Sequence, residues 1–205
     1  MSLVYYYSPM SSAARTTWGI EELGLPVERV LVDFRKGDTK KPEFRKLNPN
    51  AKVPLLVVDG HAIFESTAIL IWLGETYGVE KGLYPKPGVE RAETLKWMLW
   101  ANVSLLEQGI QRLLRNASPR VPEEERNAKQ AESAKAELAT LLGILDDALA
   151  GREWLVGDHF SFADLAVAGY VPYMHFTGMD LSPWKNVSAW SSRCLSRPAV
   201  AKANG

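Results

Sequence analysis

A single cysteine, Cys194, stands among 205 residues. It leaves no partner for an intrachain disulfide and no thiol cluster for a metal. Histidine is nearly as scarce: His61, His159 and His175 lie far apart, without metal-ligand spacing, and no Ser-His-Asp arrangement is supported. The chain has no His-Glu-x-x-His, no Gly-x-Ser-x-Gly, no Gly-x-Gly-x-x-Gly and no phosphate-binding Gly-x-x-x-x-Gly-Lys-Ser/Thr. Charge of one sign is missing too. Lys and Arg number 24, as do Asp and Glu, and residues 1–80 carry 9 basic and 10 acidic side chains. Binding to a phosphate backbone by counterion release needs a basic excess, so a nucleic-acid role is not expected. The apolar runs are interrupted by charges well short of the ~18 residues that a transmembrane helix needs. No basic n-region or apolar h-region opens the chain. The expectation is a soluble protein of a reducing, cytoplasmic compartment with no membrane partner.

What is present divides into two compositional halves. Leu3–Tyr7 reads as a strand, residues 12–23 as a helix stopped by Gly24, and residues 27–34 as a second strand. A short helix follows at Pro42–Leu47, then a turn at Asn48-Pro49-Asn50. Two strands, residues 54–58 and 62–64, flank Asp59-Gly60, a strong hairpin pair. Residues 65–77 form an amphipathic helix. The order is βαβαββα, with the first two strands parallel and the last two antiparallel. Residues 79–88 contain two Gly and two Pro without periodicity and read as a linker. Beyond them the pattern is helical: residues 89–116, 122–149, 161–176 and 183–195. Glu123-Glu124-Glu125 falls at the expected start of the second of these, where the helix dipole favours negative charge. Ser161-Phe162-Ala163-Asp164 has capping-box spacing, and Phe160 and Leu165 stand at hydrophobic-staple positions. The domains predicted are therefore 1–78, the linker 79–88, and an all-α domain over 89–205.

Chemistry concentrates in the first half, in three segments: Tyr6 to Arg15, Lys52-Val53-Pro54, and Phe64-Glu65-Ser66. Each sits where a strand hands over to a loop or a helix start. Ser11 and Ser12 lie at the first strand–helix junction, where unpaired N–H groups and the positive dipole end welcome an anion. One of the two hydroxyls serves as a cap, and the other is then available to hold a thiolate. Val53-Pro54 is compatible with a cis bond that offers the Val53 backbone to a peptide-like ligand, or with a trans proline opening an edge strand. Glu65 and Ser66 suit the ammonium and carboxylate of an α-amino-acid head group, or a plain cap followed by a favourable charge.

Taken in order, Tyr6-Tyr7-Ser8-Pro9-Met10-Ser11-Ser12, Leu47 through Pro54, Glu65 through Ile69, and Leu155 through Asp164 resemble the cytosolic glutathione S-transferases, and the resemblance spans essentially the whole chain. It implies an α/β thioredoxin-like N-terminal domain followed by an all-helical one. It implies glutathione as co-substrate, no further cofactor and no metal, and a homodimer. By resemblance Val53 pairs with the cysteinyl backbone, Pro54 is the cis proline, Glu65 and Ser66 bind the γ-glutamyl head, and Lys40 and Lys52 stand near the glycyl carboxylate. Ser11 falls at the thiolate-stabilising position of serine-type members, Ser12 where beta-type members carry cysteine, and Tyr7 where alpha-, mu- and pi-type members use tyrosine. The order of preference is Ser11, Ser12, Tyr7, because strand alternation turns Tyr7 toward the core.

Two departures matter. No cysteine occurs near Ser8–Arg15, so mixed-disulfide chemistry through the protein has no nucleophile, and Ala51 stands where glycine is common. The expected activity is thiolate attack of glutathione on small hydrophobic electrophiles, a detoxifying reaction. Met10, Leu105 and Gln108 are pocket candidates between the domains, with Trp97, Trp100 and Leu106 as possible neighbours and helical core as the competing assignment for the helical residues. Glutathione-dependent reduction or isomerisation on the same site is a second reading, and a non-catalytic docking module of the same fold a third.

Overall fold

The computed structural model describes residues 1–204, with the side chains of His175 and Asn204 outside the description. Among the described residues no helix is long and apolar enough to cross a membrane, and no group of acidic, histidine or cysteine side chains could hold a metal. The chain forms two compact units, residues 1–84 with the C-terminal segment from Arg197, and Pro85–Ser196.

The first unit contains β1 (Leu3–Tyr7), α1 (Ala13–Leu23), β2 (Glu28–Leu31), α2 (Pro42–Leu47), β3 (Leu55–Val58), β4 (His61–Phe64) and α3 (Ser66–Leu73). The sheet order is β2-β1-β3-β4, with β1 parallel to β2 and antiparallel to β3. This is the expected βαβαββα plan. Period-two alternation sends Leu3 and Tyr5 into the layer shared with α1 and α3, while Tyr6 meets Phe44 of α2 edge-on at 5.9 Å. The buried Tyr5 hydroxyl donates to the Ala13 carbonyl at 2.8 Å, fixing the first turn of α1 to β1. Gly24 ends α1 in the left-handed conformation, as its position after Leu23 predicts. Asp59 and Gly60 both take positive φ in the β3–β4 turn, the requirement that makes Asp-Gly a hairpin pair.

The structure corrects both domain boundaries. The expected linker is half packed: Tyr84 is buried against Gly74 and Gly78, in a wide turn that continues α3 through residues 74–78. A β-carbon at Gly74 would stand 2.4 Å from the Tyr84 ring. Gly74→Ala is therefore expected to lower stability by about 1–3 kcal/mol through overpacking. That exceeds the gain of up to about 1 kcal/mol from helix propensity, and urea unfolding reads the difference. The C-terminal segment leaves the helical domain altogether. Its helix α10 (Pro198–Asn204) packs on α1, and Arg197 donates two hydrogen bonds to Glu22, at 2.6 and 2.8 Å.

The second unit is all helical. α4 (Val89–Trp100) runs on through a π-helical stretch at Ala101–Gln111 into α5 (Arg112–Ala117). The long helix α6 (Ala128–Ala148) begins six residues later than expected. Asn127 caps it by accepting from the Gln130 N–H, and Glu123–Glu125 form a separate 3-10 turn rather than the helix start. A good N-cap residue outcompetes the acidic run. The helix expected over 161–176 splits into α7 (Phe162–Ala168) and α8 (Val171–His175), because Pro172 imposes a fresh start. α9 (Lys185–Leu195) follows. The capping box is present: Ser161 accepts from the Ala163 N–H, and Asp164 accepts from the Ser161 N–H.

Candidate active site

All three chemistry-bearing segments belong to the first unit, and α1 is bonded to both of the others. The Ser12 hydroxyl donates to the Val53 carbonyl at 2.9 Å. One turn further on, the Arg15 guanidinium donates to the Ser66 hydroxyl at 2.8 Å. Stretches 41 and 51 residues away in sequence are thus pinned to one helical turn.

Ser11 is half-buried. Its hydroxyl donates to the Ser8 carbonyl at 2.7 Å and accepts from the Ala13 N–H at 3.2 Å. It therefore performs the capping role, although Ser12 is the residue at the N-cap position and makes no side-chain cap bond. The expectation of one capping and one spare hydroxyl needs adjusting. Both side chains donate to a backbone carbonyl, so either hydroxyl could donate to a thiolate only by redirecting its proton. An ionised sulfur competes well for it, since charge-assisted bonds are roughly twice as strong as neutral ones. Tyr7 is half-buried and stacks on Tyr5 with ring centroids 5.8 Å apart, the core-side placement that alternation predicts.

The Val53-Pro54 bond is cis, and Val53 and Pro54 are both buried. The turn before it is built by Asn48, a residue read from sequence only as part of a turn. Asn48 is 2% exposed; its amide donates to the Lys52 carbonyl at 2.7 Å and its side-chain oxygen accepts from the Asn50 N–H at 3.0 Å. Ala51 has φ 53°, in the left-handed region, which is the physical reason glycine suits that position. The Lys40 and Lys52 side chains are exposed.

Glu65 precedes α3 with φ 72°, a backbone conformation costly for a residue with a β-carbon, and its side chain is exposed. Strain of this kind clusters at binding sites. Ser66, at the first helical position, is buried. Arg15 is only 1% exposed. Arg15 closes the first of the chemistry-bearing segments, but the sequence assigns it no role of its own, because its contact is with a residue 51 positions away.

Of the pocket candidates, Met10 is 80% exposed, beside Ser11, with φ 54°. Gln108 is exposed, and Leu105 is a fully buried core residue of the helical unit with no surface to offer a ligand. An open apolar groove of about 280 Å³ lies in the helical unit, lined by Lys96, Trp97, Trp100, Ile144 and Ala148. Trp97 and Trp100, possible pocket neighbours by sequence, line it, whereas Met10, Leu105 and Gln108 do not.

This architecture, a thioredoxin-like sheet with helices and an all-helical second unit, is that of the glutathione S-transferases. Residues 1–75 match the glutathione S-transferase N-terminal domain and residues 113–198 the C-terminal domain. The chain belongs to that family. It is 35% identical to glutathione S-transferase GstB of Escherichia coli over 185 residues, 89% of this chain and 88% of that one. It is 31% identical to the disulfide-bond oxidoreductase YfcG of Escherichia coli over 207 residues, 97% of this chain and 92% of that one. Among solved structures it resembles a glutathione transferase of Burkholderia graminis holding two glutathione molecules per subunit. There the TM-score is 0.86 and the identity 30%, covering 99% of this chain and 87% of that one.

Proposed function

We propose that the protein is a glutathione transferase that binds glutathione at the first unit and activates its thiol as thiolate for attack on small hydrophobic electrophiles. One observation carries the reading: the first turns of α1 are hydrogen-bonded both to Val53, beside the cis proline, and to Ser66, at the start of α3. The three motifs form one site that matches an extended γ-glutamyl peptide.

In this reading the γ-glutamyl ammonium pairs with Glu65 and the carboxylate meets Ser66 and the first N–H groups of α3. The cysteinyl backbone lies along Val53, and the glycyl carboxylate falls within reach of Lys40 and Lys52. That arrangement delivers the sulfur to the start of α1. There Ser11 gives up its bond to the Ser8 carbonyl and donates to the thiolate. Lowering the thiol pKa by about two units corresponds to ~2.7 kcal/mol of differential stabilisation, within reach of one hydroxyl and a helix N-terminus. The thiolate then attacks the electrophilic carbon, the carbon–sulfur bond forms, and the leaving group departs with its electron pair. The protein acts as a homodimer in the cytoplasm and needs no further cofactor.

A second reading places the same thiolate on the sulfur of a disulfide: glutathione displaces one thiolate, and a second glutathione resolves the mixed disulfide to oxidised glutathione. Two things favour it. The chain is similar to a disulfide-bond oxidoreductase and to a structure with two glutathiones per subunit. Its only cysteine, Cys194, is buried in the helical unit, so glutathione has to supply both sulfurs.

Calorimetric titration with glutathione, followed by assays with aryl halides and with a small disulfide, tests both. Glu65→Gln removes a charge-assisted contact worth about 1.5–3 kcal/mol. It is expected to weaken glutathione binding by roughly ten- to a hundredfold. Unchanged affinity would remove Glu65 from the site.

A further inference from the structure

Among the buried side chains of the first unit, Arg15 has a chemistry that packing does not require. Its guanidinium is permanently charged, carries only donors, and is 1% exposed. In its 2.8 Å contact the Ser66 oxygen is necessarily the acceptor. That assignment has a consequence for Ser66. A serine hydroxyl has one proton and two lone pairs, and with one lone pair taken by a cation its proton is left to point elsewhere, more strongly polarised than before. Ser66 is also the first residue of α3, so the hydroxyl, the helix dipole and the buried guanidinium add positive potential at one place. The positive-φ turn at Glu65 sets Ser66, the residue after it, at the helix start.

We infer that Arg15 is a positioning residue for carboxylate recognition: held in the core behind Ser66, it orients the Ser66 hydroxyl as a donor and makes the start of α3 selective for a ligand with a free α-carboxylate. The inference rests on the glutathione-binding reading and adds a residue and a selectivity to it. Arg15 does not touch the ligand. It acts through Ser66, so its removal changes which head group binds and leaves the chemistry at the thiol alone.

The test compares two ligands on the full chain by calorimetry: glutathione, and 4-aminobutanoyl-cysteinylglycine, which is glutathione without its α-carboxylate. Wild type is expected to prefer glutathione by at least thirtyfold. Arg15→Met is expected to cut that preference at least tenfold by weakening glutathione alone, with the thiol pKa of bound glutathione unchanged. Arg15→Lys, which keeps a cation behind Ser66, is expected to retain the preference to within about threefold. Ser66→Ala is expected to reproduce Arg15→Met, and the double variant to add nothing further.

If Arg15→Met weakens both ligands equally, or neither, Arg15 is only a packing residue and the inference is overturned. If wild type binds neither ligand, the glutathione reading fails instead. If Arg15→Met does not fold, nitrogen-15 spectra of the wild-type arginine side chains decide. The Arg15 guanidinium resonance is expected to shift on adding glutathione and not on adding the analogue, and an equal response to both overturns the inference.

Discussion

Asp164→Ala is expected to destabilise the protein by about 3–5 kcal/mol, a large part of the 5–15 kcal/mol that holds a typical domain together. Asp164 is fully buried in the helical unit, yet every bond it makes is to a donor. One carboxylate oxygen accepts from the Leu155 N–H at 2.9 Å and from the Trp190 indole at 2.8 Å. The other accepts from the Ser161 N–H at 3.0 Å and the Ser161 hydroxyl at 3.2 Å. One side chain thus joins the loop at Leu155, the start of α7 and the middle of α9. Alanine leaves those buried donors unsatisfied, at about 1–3 kcal/mol each before relaxation. Urea unfolding checks this through the midpoint, with the slope unchanged. A loss below 1 kcal/mol would mean that water replaces the carboxylate.

The same residue gives a pH signature. Burial pushes the Asp164 carboxyl above the ordinary carboxylate range, against the opposing effect of its four hydrogen bonds. The native state therefore binds this proton more tightly than the unfolded chain does. The stability contributed by its protonation is full below the unfolded pKa and is lost as pH rises to the folded one. In the same window Asp164→Asn lacks this component, and the difference between the two stability–pH curves isolates it.

Ser11→Ala is expected to carry the largest effect on activity. The thiol pKa of bound glutathione should rise by about 1–2 units, which is ~1.4–2.7 kcal/mol. At neutral pH, kcat/KM should fall roughly ten- to a hundredfold. The geometry favours Ser11 over Ser12 for a specific reason. Both hydroxyls donate to carbonyls, but the Ser11 bond is a local one to Ser8, three residues back, whereas the Ser12 bond ties α1 to Val53. Redirecting the Ser11 proton leaves the site assembled, since its oxygen still accepts from Ala13. Redirecting the Ser12 proton releases the cross-link that brings the cis-proline turn to α1. Ser12→Ala is accordingly expected to weaken binding more than it raises the thiol pKa.

The order of elements in the first unit was legible in the sequence because its signals are local: Gly24, Asp59-Gly60 and Pro42 each act within a few residues of themselves. The capping box at Ser161 and Asp164 was legible for the same reason. The placement of α10 was not, since it depends on Arg197 reaching Glu22, 175 residues away. The late start of α6 turned on competition between an acidic run and Asn127, and the break between α7 and α8 on Pro172, whose effect within a strongly apolar stretch the periodicity hid. For the candidate site, order and spacing single out the serines, Val53-Pro54 and Glu65-Ser66, and the structure brings these segments to one helical turn. Asn48 and Arg15 lie inside the segments the sequence singles out but receive no role of their own there, because what they do is hold other residues. For Leu105 both assignments stay open in the sequence, because apolar spacing on a helix does not separate a pocket wall from a core, and its full burial favours the core.

The central claim is that this site turns glutathione into a thiolate through Ser11. The most direct test is a pH titration of protein-bound glutathione, followed by thiolate ultraviolet absorbance, in wild type, Ser11→Ala and Ser12→Ala. The account predicts a wild-type thiol pKa well below the usual ~8.5 of a free cysteine thiol, restored by Ser11→Ala and not by Ser12→Ala. Restoration by Ser12→Ala alone would move the role to Ser12. A bound thiol that titrates at its free value in wild type, or a protein that does not bind glutathione, would contradict the account and leave a docking module of the same fold as the better description.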